Sequence, residues 1–223
     1  MIVQIYEISN LTEARKLAKL GVDHIGVLVG RGVYPRELSY KKTKEIFKSL
    51  PKGVKGVALS LSSNLKEISE LVKEINPDIL HLGTVPESLS PTDVKKLKQK
   101  FPNLNIMRSI PVVDEESIKL AKRYDGIVDY LLLDTYKKED SQVGATGETH
   151  NWDISQKIVK SVKIPVILAG GIGPDNVAKA IKKVRPAGVD SKTKTDKMGS
   201  HRKDIKKVKE FVKVAKSFEL DRF

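Results

Sequence analysis

A chain of 223 residues, 39 % hydrophobic and 31 % charged, carries enough apolar material for one continuous core and too little polarity bias for disorder. Its 41 basic residues against 28 acidic ones leave a net charge of +13, a surface that attracts anions, either phosphorylated small molecules or nucleic acid. Zero cysteines exclude disulfides, thiolate metal sites and cysteine nucleophiles, and neither a bilayer-spanning apolar run of about 20 residues nor a signal-peptide start is present in the sequence.

Short β-rich apolar runs alternate eight times with longer amphipathic, lysine-bearing segments. The first strand is expected over 2–8. Asn10 then caps a helix with Leu11, Ala14, Leu17 and Ala18 on its apolar face, stopped by Gly21. A strand over 24–29 leads to a helix opened by Ser39 and closed by Pro51, and a strand over 54–60 to one opened by Asn64 and closed by the Asn76-Pro77 turn. The strand over 78–83 precedes a helix capped by Ser90 with Pro91 in its first position. Strands over 105–112, 130–135, 166–171 and 187–191 follow, with helices over 115–124, 153–162, 174–184 and 203–218. Strand and helix in strict alternation imply parallel pairing through right-handed crossovers, and eight such units close into a barrel. The expectation is a single α/β domain over 1–223, a (β/α)8 TIM barrel. The longest irregular segment, 136–151, follows the sixth strand, on the face where such barrels carry their sites.

The strongest local signal is VILAGGIGPDN from Val166, a buried strand running into glycines and then a helix with Pro174 in its first turn. Glycines allow close backbone approach, so Gly170, Gly171 and Gly173 are candidates for seating an anion against amides. After the eighth strand, Ser191, Lys192 and Thr193 stand where the second half of a barrel phosphate site belongs. The alternatives are a tight turn for the first segment and a basic surface loop for the second. Lys41, Lys42, Lys44 and Lys48, and equally Lys203, Lys206, Lys207 and Lys209, read as solvated helix faces. No aromatic strand platform accompanies them, so nucleic acid is not the expected partner. His24, His81, His150 and His201 lack metal-ligand spacing, and no metal site is expected.

The pieces QIYEISNLTEARKLAKLGVDHIGVLV, YPRELS, LLLDT, GATGETHNWD, LAGGIGPDNVAKAI and RPAGVD resemble the phosphoribosylanthranilate isomerase family in order and spacing over nearly the whole chain. The resemblance implies an Amadori aldose-ketose rearrangement of a phosphoribosyl amine in tryptophan biosynthesis. It proceeds without metal or organic cofactor, with a general acid to open the furanose ring and a general base to take the sugar C2 proton. Asp134 falls on the family's acid. Tyr6 stands where the family has the cysteine that serves as base, so Tyr6 and its neighbour Glu7 are the candidates to replace it. Arg36 matches a family arginine near substrate, Arg108 replaces a lysine of the fifth strand, and Gly147 lies in the matched loop; all three are carried as substrate-binding positions. The family phosphate loop, Asp-Val-Ser-Ser-Gly, is here Asp190-Ser191-Lys192-Thr193-Lys194, and His81 is displaced by one place from the family histidine, hence to the other strand face. The competing expectation is a non-catalytic phosphosugar-binding paralogue, since Tyr6 brings bulk to the cysteine position. The expected partner is a phosphorylated small molecule and not a membrane, the expected address is the cytoplasm, and monomer and homodimer both stay open.

Overall fold

The computed structural model describes residues 1–137, 142–143 and 149–218. Its chain order is β1 (Ile2–Ile5), α1 (Leu11–Lys19), β2 (His24–Leu28), α2 (Tyr40–Lys48), β3 (Lys55–Ser60), α3 (Leu65–Ile75), β4 (Ile79–Leu82), α4 (Pro91–Lys100), β5 (Asn105–Pro111), α5 (Glu116–Tyr124) and β6 (Tyr130–Asp134). A two-stranded hairpin, β7 (Tyr136–Lys137) and β8 (Gln142–Val143), precedes α6 (Trp152–Ser161), β9 (Val166–Leu168), α7 (Val177–Val184), β10 (Gly188–Ser191) and α8 (Ile205–Lys216). Eight parallel strands close in the order β1-β10-β9-β6-β5-β4-β3-β2, the expected (β/α)8 barrel. Among the described residues no helix is long and apolar enough to cross a membrane.

Period-two alternation divides each strand between two cores. Val3 and Ile5 of β1 join the large cluster between barrel and helices, whereas Tyr6 belongs to an inner cluster with Val57, Ile79, Met107, Leu132 and Ile167 that fills the barrel. The caps expected from sequence form: Asn10, Ser39, Asn64 and Ser90 each accept from an amide of the following first turn. Gly21, at φ +94°, ends the first helix unit in the left-handed conformation that glycine adopts without penalty.

Four elements differ from expectation by more than one residue at a boundary, each for a local reason. The first strand stops at Ile5 because Glu7 turns left-handed at φ 58°. The strand before the glycines stops at Leu168, ahead of Gly170 and Gly171 at φ 75° and 62°. Pro174 lies in a turn, not in α7: the amides of Asn176 and Val177 both reach the Gly173 carbonyl, and the helix starts at Val177. At the last helix Asp204 supplies the cap, and Lys203, expected on a solvated face, is buried with its ammonium 2.6 Å from Asp196.

Candidate active site

The carboxyl ends of the strands frame a mouth whose floor is Tyr6. Its side chain points into the barrel, against a backbone made bare by Gly26: a Cβ there would lie 2.3 Å from the ring. The phenol oxygen is 2.5 Å from His81 Nδ1, and His81 Nε2 is 2.7 Å from Ser109 Oγ. Burial, then the negative charges of Asp190 and Asp134, push the phenol well above its ordinary range, while burial pushes His81 down to about 3. The neutral phenol therefore donates to Nδ1, leaving the imidazole proton on Nε2 to be donated to Ser109. Tyr6 is a proton donor locked to an internal partner, which weakens it further as a candidate for the base. His81 is, as expected, buried and hydrogen-bonded, and it lies on the inner face.

Asp134 ends β6 and touches solvent through this mouth. Desolvation raises its carboxyl to about 7, opposed only by the Thr135 amide, which donates to Oδ1 at 2.8 Å. An acid with that proton affinity can protonate a ring oxygen near neutral pH. Asp134 lines two adjoining cavities. One, of about 70 Å³, lies over Tyr6, His81, Ser109 and Glu7; the other, of about 30 Å³, lies between the glycine loop and the loop after β10. Asp190 lines both as well.

Because the chain leaves β1 at Ile5, Glu7 reaches the same mouth, but as an ion-paired group. Its Oε2 accepts from Arg36 Nε at 2.5 Å and its Oε1 lies 3.2 Å from Lys192 Nζ. Although burial pulls upward, the Arg36 hydrogen bond and the two positive charges leave the Glu7 carboxyl below its ordinary value. Such a carboxylate is a weak base. Arg36 is itself left-handed, at φ 71°, so two strained non-glycine residues hold each other at the rim.

The two halves of the expected anion seat converge. Ser191 Oγ donates to the Ile172 carbonyl at 2.7 Å, and a Cβ on Gly173 would stand 2.6 Å from Lys194 Cβ. Gly170, Gly171, Ser191, Lys192 and Thr193 all line the smaller cavity. Gly173 does not: its amide donates to Asn176 Oδ1 at 2.9 Å, so it shapes the loop that Gly170 and Gly171 present. Lys203 braces the far side by donating to the Lys192 carbonyl at 3.0 Å, a positioning role hidden by the lysine-rich surroundings in the sequence.

Arg108 is not brought to the site. It points outward, fully buried, donating to the carbonyls of Leu82 and Thr84 at 2.7 and 2.6 Å with its guanidinium 5.5 Å from the Tyr124 ring centre. The cause is strand parity: Ser109, one residue on, takes the inward position. Gly147 lies outside the described residues. Asn151 caps α6, and His150 bonds Ser155 Oγ at 2.7 Å beside Gly170. Asp190 was missed as a site residue; the signal available was an acidic residue at a strand's carboxyl end. Among the described residues no group of three histidine or acidic side chains is placed to hold a metal.

The whole of this frame has known counterparts. The model of the family "N-(5'phosphoribosyl)anthranilate (PRA) isomerase" matches residues 3–214. The N-(5'-phosphoribosyl)anthranilate isomerase of Methanocella arvoryzae is 35 % identical over 203 residues, 90 % of this chain and 91 % of the relative. The solved structure of the Pyrococcus furiosus enzyme of that name superposes with a TM-score of 0.79 at 27 % identity, over 98 % of this chain and 100 % of the other. A phosphoribosylanthranilate isomerase in complex with reduced 1-(o-carboxyphenylamino)-1-deoxyribulose 5-phosphate shares the fold, with a TM-score of 0.75 at 23 % identity over 98 % and 100 % of the two chains. By the match of its sequence from first strand to last helix, the chain belongs to the phosphoribosylanthranilate isomerase family.

Proposed function

We propose that this chain isomerises N-(5'-phosphoribosyl)anthranilate to the corresponding aminodeoxyribulose phosphate in tryptophan biosynthesis, as a cytoplasmic protein, monomer or homodimer, with no metal or organic cofactor in the scheme. The observation that carries this reading is the position of Asp134, a carboxyl raised to about 7 where the cavity between the glycine loop and the loop after β10 adjoins the barrel mouth. A substrate with its phosphate between Gly170–Gly171 and Lys192–Thr193 presents its sugar to that carboxyl. Asp134 gives its proton to the ring oxygen as the C1–O bond breaks and the amine nitrogen forms a C=N bond with C1. The anthranilate carboxylate has a ready partner in Arg36, whose present partner, Glu7, is also a carboxylate. Arg36 keeps Glu7 and takes the substrate carboxylate as a second partner, its guanidinium offering five N–H donors.

One observation favours the alternative of a phosphosugar binder without turnover: Tyr6 leaves a mouth cavity of about 70 Å³, against the roughly 300 Å³ or more of an ordinary small-molecule pocket. Turnover separates the two. The expected result is loss of N-(5'-phosphoribosyl)anthranilate fluorescence with the wild type and a fall in kcat of about 10³-fold in Asp134→Asn, with binding of the reduced product analogue retained. Binding by the wild type without turnover supports the non-catalytic alternative.

A further inference from the structure

The isomerisation needs a group to take the C2 proton, and the residues just after β1 offer none: the Tyr6 phenol is protonated and Glu7 is held by two cations. One carboxyl in the mouth has an uncommitted oxygen. Asp190 sits on β10, next to β1, with Gln4 as its register partner, and the Tyr6 amide donates to the carbonyl of the following residue, Ser191. Asp190 therefore faces the barrel interior beside the position the family gives to cysteine. It is 6 % exposed, and its Oδ1 is buried without a hydrogen-bond partner. An orphaned buried carboxyl oxygen is costly unless it is protonated or meets a ligand. Asp190 is also, with Asp134 and Lys192, one of the residues common to both cavities, so a ligand spanning phosphate seat and mouth passes between the two carboxyls.

Resting on the isomerase function above, we propose that Asp190 is the general base of this chain, working with Asp134 as acid across the mouth in place of the absent cysteine. Burial and the adjacent Asp134 hold the Asp190 carboxyl well above its ordinary range. Two neighbouring carboxyls titrate as a pair, and the isomerisation uses the form that carries the shared proton on Asp134 and leaves Asp190 ionised. After ring opening, the Asp190 carboxylate takes the proton from C2, the C2–H electrons form the C1=C2 bond, and the C=N electrons return to nitrogen. The enaminol becomes the ketone when C1 takes a proton and O2 releases one. The former matches the proton Asp190 gained and the latter the proton Asp134 gave, so the pair ends as it began and no oxidant or reductant enters.

The test is turnover of N-(5'-phosphoribosyl)anthranilate by the wild type, Asp190→Asn and Asp190→Glu, with the Kd of the reduced product analogue measured for each. The assignment predicts that kcat falls about 10³-fold in Asp190→Asn with Kd changed less than about threefold, and that Asp190→Glu recovers about tenfold over the amide. If the amide variant does not fold, Asp190→Glu decides by a fall in kcat of about 10²-fold at unchanged Kd. Against an active wild type, an Asp190→Asn variant within about tenfold in kcat overturns this assignment alone, as does a loss of turnover matched by a loss of analogue binding in a folded variant. A wild type that binds the analogue and turns nothing over overturns the isomerase function and this assignment together.

Discussion

Arg108 carries a guanidinium into the layer between barrel and helices, where two carbonyls and the face of Tyr124 receive it and Nε and Nη2 find no partner. Its residue type suggested an anion; its place on the strand decides otherwise. Truncation would open a cavity and orphan the Leu82 and Thr84 carbonyls. Arg108→Ala is therefore expected to cost about 3 kcal/mol or more in a denaturant titration while leaving KM for the phosphoribosyl substrate unchanged. A raised KM at unchanged stability would put the guanidinium back in the site. Tyr6 is the reverse case, a residue whose chemistry looked adaptable and whose surroundings fix it: the His81 acceptor and low polarity keep the phenol neutral.

At the scale of elements, the residue that follows β1 packs on β2, the Tyr6 ring lying where a side chain at residue 26 would be. Gly26→Ala is expected to destabilise the protein by about 2 kcal/mol through overpacking. The Tyr6→Ala background should absorb much of that cost, since the ring is gone; equal costs in both backgrounds would deny the contact. The same elements show what a sequence displays. The eight alternations and the caps at Asn10, Ser39, Asn64 and Ser90 are local patterns, so they were legible, as were the converging glycine and Ser191 loops and the placement of Asp134 at the mouth. What stayed hidden depends on partners far away in the chain. The left-handed turn at Glu7 that ends β1 is held by Arg36 and Lys192, the orientation of Arg108 follows from where β5 starts its alternation, and Asp190 gains significance only beside Asp134. Lys203 looked like its solvated neighbours because nothing local marks the Asp196 carboxylate that buries it.

Across the whole molecule, the buried titratable groups pull stability in opposite directions with pH. Asp134 keeps its proton to about 7 when folded against an ordinary value of 3.8, so the unfolded chain releases a proton first and stability falls as pH rises from about 4 to about 7. His24, His81 and His150, depressed by burial to about 4, 3 and 4 from 6.5, act the other way: their contribution is complete above about 6.5 and is lost as pH falls toward those values. Asp134→Asn removes the Asp134 slope and, by taking away its charge, also relaxes the neighbouring Asp190 carboxyl, while the histidine terms stay. Thermal melts should show the variant more stable than wild type at pH 8, by up to about 4 kcal/mol, with no such gain at pH 4; a difference independent of pH would mean that Asp134 is not desolvated. That cost to stability is the expected companion of an acid held ready at neutral pH. The most direct test of the account is a crystal structure with reduced 1-(o-carboxyphenylamino)-1-deoxyribulose 5-phosphate. The predicted result is phosphate density between Gly170–Gly171 and Lys192–Thr193 with the sugar chain running between Asp134 and Asp190. A phosphate bound elsewhere, or a ligand that leaves both carboxyls untouched, would contradict it.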